Sequence, residues 1–545
     1  MNRFLSIVLH AHVPWVRHPE SPRCLEEDWL FEAISESYLP LLDVLHRLRD
    51  EEVPYRVTMN FSPVLLEMLQ DPMLRDRAQA YLERALALAQ RESMRESAPE
   101  THRRLAAWYA ARFSSLRDMY VDRWQRDLVR AFRELQETRH LEITATAATH
   151  AVLPLLLQVP ETVRAQISVG AETYEKTFGT PARGFWLPEC AYVHALSGLI
   201  RETGADWTIV EAHAFGPERS GAEPNAGCGP RGLAFFRRDL ASSRQAWDAD
   251  TGYPSDPRYR EFYRDVGLEA PPEALSDYLE GSPVRRFTGL KMYRITGGEG
   301  DKEWYDPGAA RAAALEHAKD FVDARADQLR TLAAEVEPGE PPPILVCACD
   351  VELFGRWWFE GPQFFEEMLR LLSKRDDMIL TTPTEYLLRC GGSAALPSVE
   401  PMPSSWSEEG YFASWLSDEN TWIYPELHRR ATQLLRVVQA CEEDGDTLEE
   451  PLGSHRRRCV SQMIRELQLA QSGDWPMLMR NETSRDYATR RAKEHLSHFD
   501  TLWKAYASAS EDSQSTLERI EKQNPIFPDL KPSRHHPDRQ PSLLD

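Results

Sequence analysis

Short apolar runs recur along the chain at Phe4–Leu9, Tyr55–Met59, Leu141–Thr146, Gly184–Leu187, Trp207–Val210, Leu233–Phe236 and Ile344–Cys349. Each is too short for a helix and is bounded by polar or turn-forming residues, so each reads as a buried strand. Between several of them lie segments whose apolar positions recur at helical spacing, such as Ala33–Arg49 and Pro160–Phe178. Strand and helix alternating over about 400 residues predict an α/β fold of parallel βαβ units, closing into a barrel. From Asp71 to Arg139 the alternation gives way to Arg-, Glu-, Ala- and Leu-rich sequence such as "DRAQAYLERALALAQRE". This reads as a helical insertion with a solvated charged face. Strand signals stop after Ser393, and amphipathic helical patterns run from about Tyr424 to Ala507. The expected organisation is a catalytic barrel over 1–400 with an insertion at 71–139, a helical domain over 401–526, and a tail over 527–545. The tail, with "PDLKPSRHHPDRQPSLLD", is Pro-rich and polar and is expected to be disordered.

Composition narrows the function. A chain of 545 residues exceeds one ordinary core, and 42% hydrophobic with 28% charged residues suits a globular protein. The formal charge of −22, from 86 acids against 64 bases, argues against nucleic acid or an anionic membrane as partner and favours a neutral substrate. There is no long apolar run for a membrane span, and "MNRFLSIVLHAHVP" turns polar too soon for an export signal, so a cytoplasmic location is expected. The eight cysteines are scattered without a CxxC, which predicts free thiols and no Cys-built zinc site. Fifteen tryptophans are many, but indoles fill cores as well as stack on sugars, so position decides their meaning.

In a parallel barrel, function gathers where the strands end. There "HAHVPW" supplies His10, His12 and Trp15, "ATHAVLP" supplies His150, and "GFWLPECAY" supplies Trp186 and Glu189. "VEAHAFG" adds Glu211 and His213, and the run from Ile344 ends in Asp350 and Glu352. Paired carboxylates among aromatics, with no Gly-rich or Lys-rich phosphate loop, suit glycosidic-bond chemistry. One carboxylate attacks the anomeric carbon while the other protonates the leaving oxygen and then activates the acceptor, the pair standing about 5–5.5 Å apart. Two rivals remain at this point. His10 and His12 share one strand face and would form a divalent-metal site with Asp350 or His150; or the barrel binds sugar without catalysis. A chelator separates the metal reading from the carboxylate pair.

"LHAHVPWVRHPE", "ITATAATHAVLPLL", "GFWLPECAY", "CDVELFGRWWFEGP" and "SSWSEEGYFASWLSDENTWIYPELH" together resemble, in order and spacing, the five signature regions of glycoside hydrolase family 57. "SGDWPMLMRNETSRDYATRRAKEH" is similar to that family's C-terminal helical domain. "SSRQAWDADTGYPSDPRYREFYRDVG" and "GLKMYRITG" point within it to the 1,4-α-glucan branching enzymes. The resemblance spans roughly 1–505. It implies an incomplete seven-stranded (β/α) barrel, with a helical insertion and a C-terminal α-helical domain. It further implies retaining transfer that cleaves α-1,4 bonds and re-forms them as α-1,6 branches, on an α-1,4-glucan, without cofactor or metal.

By position, Glu189 matches the family nucleophile and Asp350 the general acid/base. His10, His12 and His150 match residues lining the donor site, and Trp406, Trp415 and Asp474 match acceptor-side or cleft residues. Trp15, Trp186, His213 and Trp247 are further expected substrate contacts. Glu352 is expected to be a structural acid behind the site, with bracing or tuning of Asp350 as the alternative, and Trp357 and Trp358 are expected to pack between barrel and helical domain.

Departures from the family pattern bear on function. Arg356 stands where the family commonly has histidine, and Ser407 and Glu409 where it commonly has glycine. The resemblance also implies a lid loop after the His213 strand bearing a tyrosine. Here "GPERSGAEPNAGCGPRGL" (216–233) holds five glycines, three prolines and no aromatic. A lid that closes poorly admits water as acceptor. An amylase-like hydrolase or a 4-α-glucanotransferase is therefore the alternative, with a non-catalytic glucan-binding protein more distant.

Overall fold

The computed structural model describes residues 2–216, 225–248, 250–280, 282–297, 302–407, 410–443, 454–508 and 510–535. Glu409 and residues 217–224 of the lid stretch lie outside them.

The strands are β1 (Phe4–Ala11), β2 (Val57–Phe61), β3 (Leu141–Thr146), β4 (Gly184–Trp186), β5 (Trp207–Val210), β6 (Ala226–Cys228), β7 (Ala234–Arg237), β8 (Ile344–Asp350) and β9 (Ile379–Leu380). Their order is β6-β7-β5-β4-β3-β2-β1-β8, with β9 beside the start of β1. Seven of them, β8, β1, β2, β3, β4, β5 and β7, form a parallel run. The ring is drawn nearly shut by a short parallel bridge between Arg238 and Val346, so the architecture is an incomplete seven-stranded barrel. Away from the barrel mouth these strands are mostly apolar on both faces, because side chains inside fill the barrel while those outside meet helices. β1 illustrates this, with all eight residues buried.

Between β2 and β3 lie the helices Pro72–Met94, Glu100–Asp118 and Leu128–Glu137, the first two packed against each other. Helices Ile423–Glu443, His455–Ala470, Arg485–Tyr506 and Glu511–Gln523 form the C-terminal domain. It is joined to the barrel by buried polar contacts: Thr149 Oγ1 donates to the Gln468 carbonyl (2.5 Å), and Gln166 Nε2 to Gln471 Oε1 (3.0 Å).

Two expectations change. The tail is packed up to residue 535: Phe527, Leu530, Pro532, Ser533 and His535 are buried and Arg465 donates to the Phe527 carbonyl (3.1 Å), which docks a polar stretch against the helices, while residues 536–545 lie outside those described. And the described residues 225–233 of the lid stretch hold a strand and a turn where a loop was expected. Ala226–Cys228 pairs antiparallel with β7, and Gly229–Leu233 is a tight turn that feeds it.

A π-helical stretch, Ala33–Tyr38, interrupts the first long helix and packs against the turn after β8. It brings Tyr38 to Glu352 and Ser37 Oγ to the Arg356 backbone N–H (3.1 Å). The approach needs Gly355, at φ 123°, where a Cβ would stand 1.8 Å from the Glu36 carbonyl oxygen. Gly355→Ala is expected to destabilise the protein by about 3 kcal/mol or more, read by chemical denaturation, since neither the φ nor the clash can be relieved by a rotamer change.

Candidate active site

Register places the first polar layer. His10 in β1 stands opposite Asp350 in β8 and Asn60 in β2, and Asn60 stands opposite Thr144 in β3. Paired residues of parallel strands share a face, so one row of polar side chains crosses four strands at the barrel mouth. His10 Nδ1–H donates to Asn60 Oδ1 (2.7 Å), whose amide in turn donates to Thr144. That fixes the His10 tautomer and leaves its Nε2 buried without a protein partner.

The second layer comes from loops. His150 Nε2 donates to Glu189 Oε1 (3.0 Å), leaving the other carboxylate oxygen free of that bond. His10, His150 and His12 stack on one another and on Trp186: centroids are 4.8 Å from His10 to His150, 4.0 Å from His12 to His150, and 5.0 Å from His10 to Trp186. His150 (φ 53°), Glu189 (φ 59°) and Cys190 (φ 49°) all occupy the left-handed region, uncommon for residues with a side chain. Neighbouring backbone holds them there. Gly473 N–H donates to the His150 carbonyl (3.1 Å), and Trp406 N–H to the Glu189 carbonyl (2.5 Å).

The C-terminal domain completes the site through one carboxylate. Asp474 accepts from His12 Nε2 (2.9 Å), while His12 Nδ1 meets Ser62 Oγ (2.7 Å) and its backbone N–H reaches Glu352 Oε1 (3.2 Å). Glu352 also accepts from the Tyr38 hydroxyl. A buried cation enters from β7's end: Arg238 donates to Glu211 Oε2 (2.7 Å) and lies 4.1 Å over the Trp406 ring.

These contacts set the protonation states. Burial alone would lower His12, but the Asp474 carboxylate outweighs it and holds His12 above the usual histidine range. His10 and His150 are held well below that range, by burial first and by neighbouring histidines next. Burial pushes the Glu189 carboxyl up to about 7, helped by the charge of Asp474. Asp350 is likewise raised to about 7, by burial and then by Glu189, against the opposing pull of Arg238 and His12. Glu352 reaches about 7 through burial and Asp350. With Glu189 and Asp350 each raised to about 7, both carboxyls exchange protons near neutrality, as acid–base work on a neutral substrate requires.

Of the residues singled out in the sequence, Glu189, Asp350, His10, His12, His150, Trp186, Trp406 and Asp474 converge here. His213 lies on the rim, its Nε2 on the Gly410 carbonyl (3.0 Å) and its ring 4.9 Å from Tyr411. Three indoles do not converge. Trp15 is buried and donates to Asn524 Oδ1 (3.0 Å), a link between barrel and C-terminal segment. Trp415 is buried and donates to the Gly473 carbonyl (3.1 Å), supporting the Asp474 turn from behind. Trp247 ends the helix Leu240–Trp247 and is 47% exposed. The tryptophan pair also divides: Trp358 is buried among Tyr259, Phe354 and Phe364, whereas Trp357 is 47% exposed. Arg356 pairs with Glu32 (3.1 Å).

Asn60, Ser62, Tyr38 and Arg238 carried no motif signal; the His10–Asn60 register reveals Asn60, the π-helical turn Tyr38, and tertiary contacts with His12 and Glu211 reveal Ser62 and Arg238. As for metals, His12 commits both ring nitrogens to Ser62 and Asp474, while His10 and His150 each commit one, to Asn60 and Glu189, and keep one without a protein partner. Among the described residues the one group with ligand-like geometry is Glu466, His495 and His498, buried in the C-terminal domain.

Residues 6–262 match glycosyl hydrolase family 57, and residues 426–535 match the C-terminal domain of 1,4-alpha-glucan branching enzymes. A 1,4-alpha-glucan branching enzyme of Thermococcus kodakarensis is 32% identical over 97% of this chain and 78% of its own. Among solved structures, the alpha-amylase AmyC from Thermotoga maritima superposes with TM-score 0.87 at 35% identity, covering 98% of this chain and 99% of its own. The GH57-type branching enzyme from Pyrococcus horikoshii superposes with TM-score 0.85 at 30% identity, over 99% and 98%. With the carboxylate pair, the histidine stack and both domains accounted for, the chain belongs to glycosyl hydrolase family 57.

Proposed function

We propose that this protein is a retaining α-1,4-glucan branching enzyme. The observation that supports it most is Glu189, held by one oxygen on His150 and sharing the barrel mouth with Asp350, both carboxyls raised to about 7. In this reading the free Glu189 oxygen attacks the anomeric carbon of an α-1,4 bond. Protonated Asp350 gives its proton to the departing glycosidic oxygen as that bond breaks. The glycosyl ester is resolved when Asp350, now a carboxylate, takes the proton of an incoming 6-hydroxyl, whose oxygen bonds to the anomeric carbon and releases Glu189. The orphaned Nε2 of His10 accepts a hydrogen bond from a hydroxyl of the donor sugar, a partner that the buried site otherwise lacks.

The similarity to AmyC favours a second reading, hydrolysis in the same frame, in which water takes the place of the 6-hydroxyl. Reducing ends counted on amylose before and after a debranching enzyme separate the two. New ends that appear only after debranching are expected for branching. Ends that appear at once, with none added by debranching, establish the hydrolase instead.

A further inference from the structure

Beside the barrel mouth lies an exposed aromatic strip that none of the steps above uses. Trp357, just past the turn after β8, stacks on Phe262 at 5.3 Å between centroids and 25° between planes. Phe262 meets Tyr263 edge-on at 5.0 Å, and Tyr263 is 74% exposed. We propose that Trp357, Phe262 and Tyr263 form a holding site for an α-glucan chain outside the catalytic cleft, an inference that rests on the glucan reading above.

Two of the three rings are held before any ligand arrives. The Arg356 guanidinium lies 5.0 Å from the Trp357 ring and is tied to Glu32. Lys291 lies 5.1 Å from the Phe262 ring, and its ammonium donates to the Phe262 carbonyl (2.5 Å). Cations that pin aromatic rings reduce the conformational freedom lost on binding, so stacking on a ligand there is not offset by ordering the platform.

Continuity with the cleft and charge identify the occupant. Trp357 N–H donates to the carbonyl of Glu352 (3.1 Å), whose carboxylate in turn receives the His12 N–H. The strip thus sits just past the turn that follows β8, at the barrel end that carries the site, within reach of a polymer leaving the cleft. Nucleic-acid bases also stack on aromatics, but a polyanion is disfavoured by a protein of net charge −22. A neutral glucan presents apolar sugar faces and no charge to repel.

Trp357→Ala and Tyr263→Ala test the site; the second, at a surface ring, puts no packed core at risk, and thermal melting verifies both folds. KM is measured on long amylose and on a short malto-oligosaccharide that fills only the cleft, with amylose affinity read separately by gel retardation. The expected result is a rise of about three- to tenfold in amylose KM per ring, the worth of one stacked aromatic, with kcat and the short-substrate KM unchanged. Trp357→Phe is expected to restore most of the loss. Equal effects on both substrates, or none on either, overturn the site. A change in sedimentation of the variants with amylose KM unmoved overturns it too, assigning the strip to a second copy of the chain. Should the wild type neither branch nor hydrolyse yet lose amylose retardation on Trp357→Ala, the catalytic reading fails while the holding site stands.

Discussion

Glu189→Gln is expected to reduce turnover of amylose by on the order of 10⁴-fold or more, since the amide cannot form the glycosyl ester. It is also expected to stabilise the fold above neutral pH, and the sign follows from burial. The Glu189 carboxyl sits at about 7 in the native state, against an ordinary value of 4.5, with 28% of its side chain accessible. The native state therefore binds this proton more tightly than the unfolded chain does. Native stability falls as pH rises from about 4.5 to about 7, and the full penalty persists above that. An uncharged isostere escapes this penalty, a gain of up to about 3 kcal/mol at pH 8 and nearly none below pH 4.5. It also lowers the proton affinity of Asp350, for which the Glu189 charge is the largest influence after burial. Denaturation of wild type and variant at the two pH values, beside an amylose assay, measures both effects. Full turnover in the variant removes Glu189 as nucleophile, and equal stability at pH 8 removes the buried-charge account.

Arg238→Met is the second large effect expected. Both partners of the Arg238–Glu211 pair are buried, so deleting the cation strands a carboxylate out of water, a loss of about 3–5 kcal/mol. Adding Glu211→Leu is expected to restore most of the stability, because a matched apolar pair leaves no charge unsatisfied. Catalysis distinguishes this from a purely structural effect. Arg238 pulls the Asp350 carboxyl down against burial, so its loss lifts Asp350 further. The acid then keeps its proton to higher pH, and the alkaline limb of kcat/KM, expected near pH 7 in the wild type, moves upward in both single and double variants. A limb that stays in place in the double variant would sink the assignment of Arg238 as a tuning charge for Asp350.

The seven barrel strands were legible in sequence because each is buried on both faces, which leaves a short, mostly apolar run such as "FLSIVL" or "ILVCAC". β6, "AGC", and the two-residue β9 leave no such run, since their pairing is set by backbone hydrogen bonds at the barrel's edge. The tryptophans show a different limit. Trp15, Trp247, Trp406 and Trp415 are chemically alike, yet one bolts the barrel to a C-terminal segment, one stands on the surface, one lies against the Glu189 turn and one buttresses the Asp474 turn. Spacing along the chain carries no information on which face an indole finds. Trp357 shows the same limit, since its neighbour Trp358 is core while its own ring lies open beside Phe262.

The amino-acid sequence by itself determined where strands end and which ends carry a histidine or a carboxylate, because hydrophobic period and residue chemistry are local properties. The tertiary structure alone decided that Asn60 meets His10, that Asp474 crosses from another domain to charge His12, and that Arg238 stands between Glu211 and the Trp406 ring. Those contacts join residues 27 to 462 positions apart. Proton affinities in the site follow from burial and from charges a few ångströms away, and neither distance exists until the barrel has closed and the helical domain has docked on it.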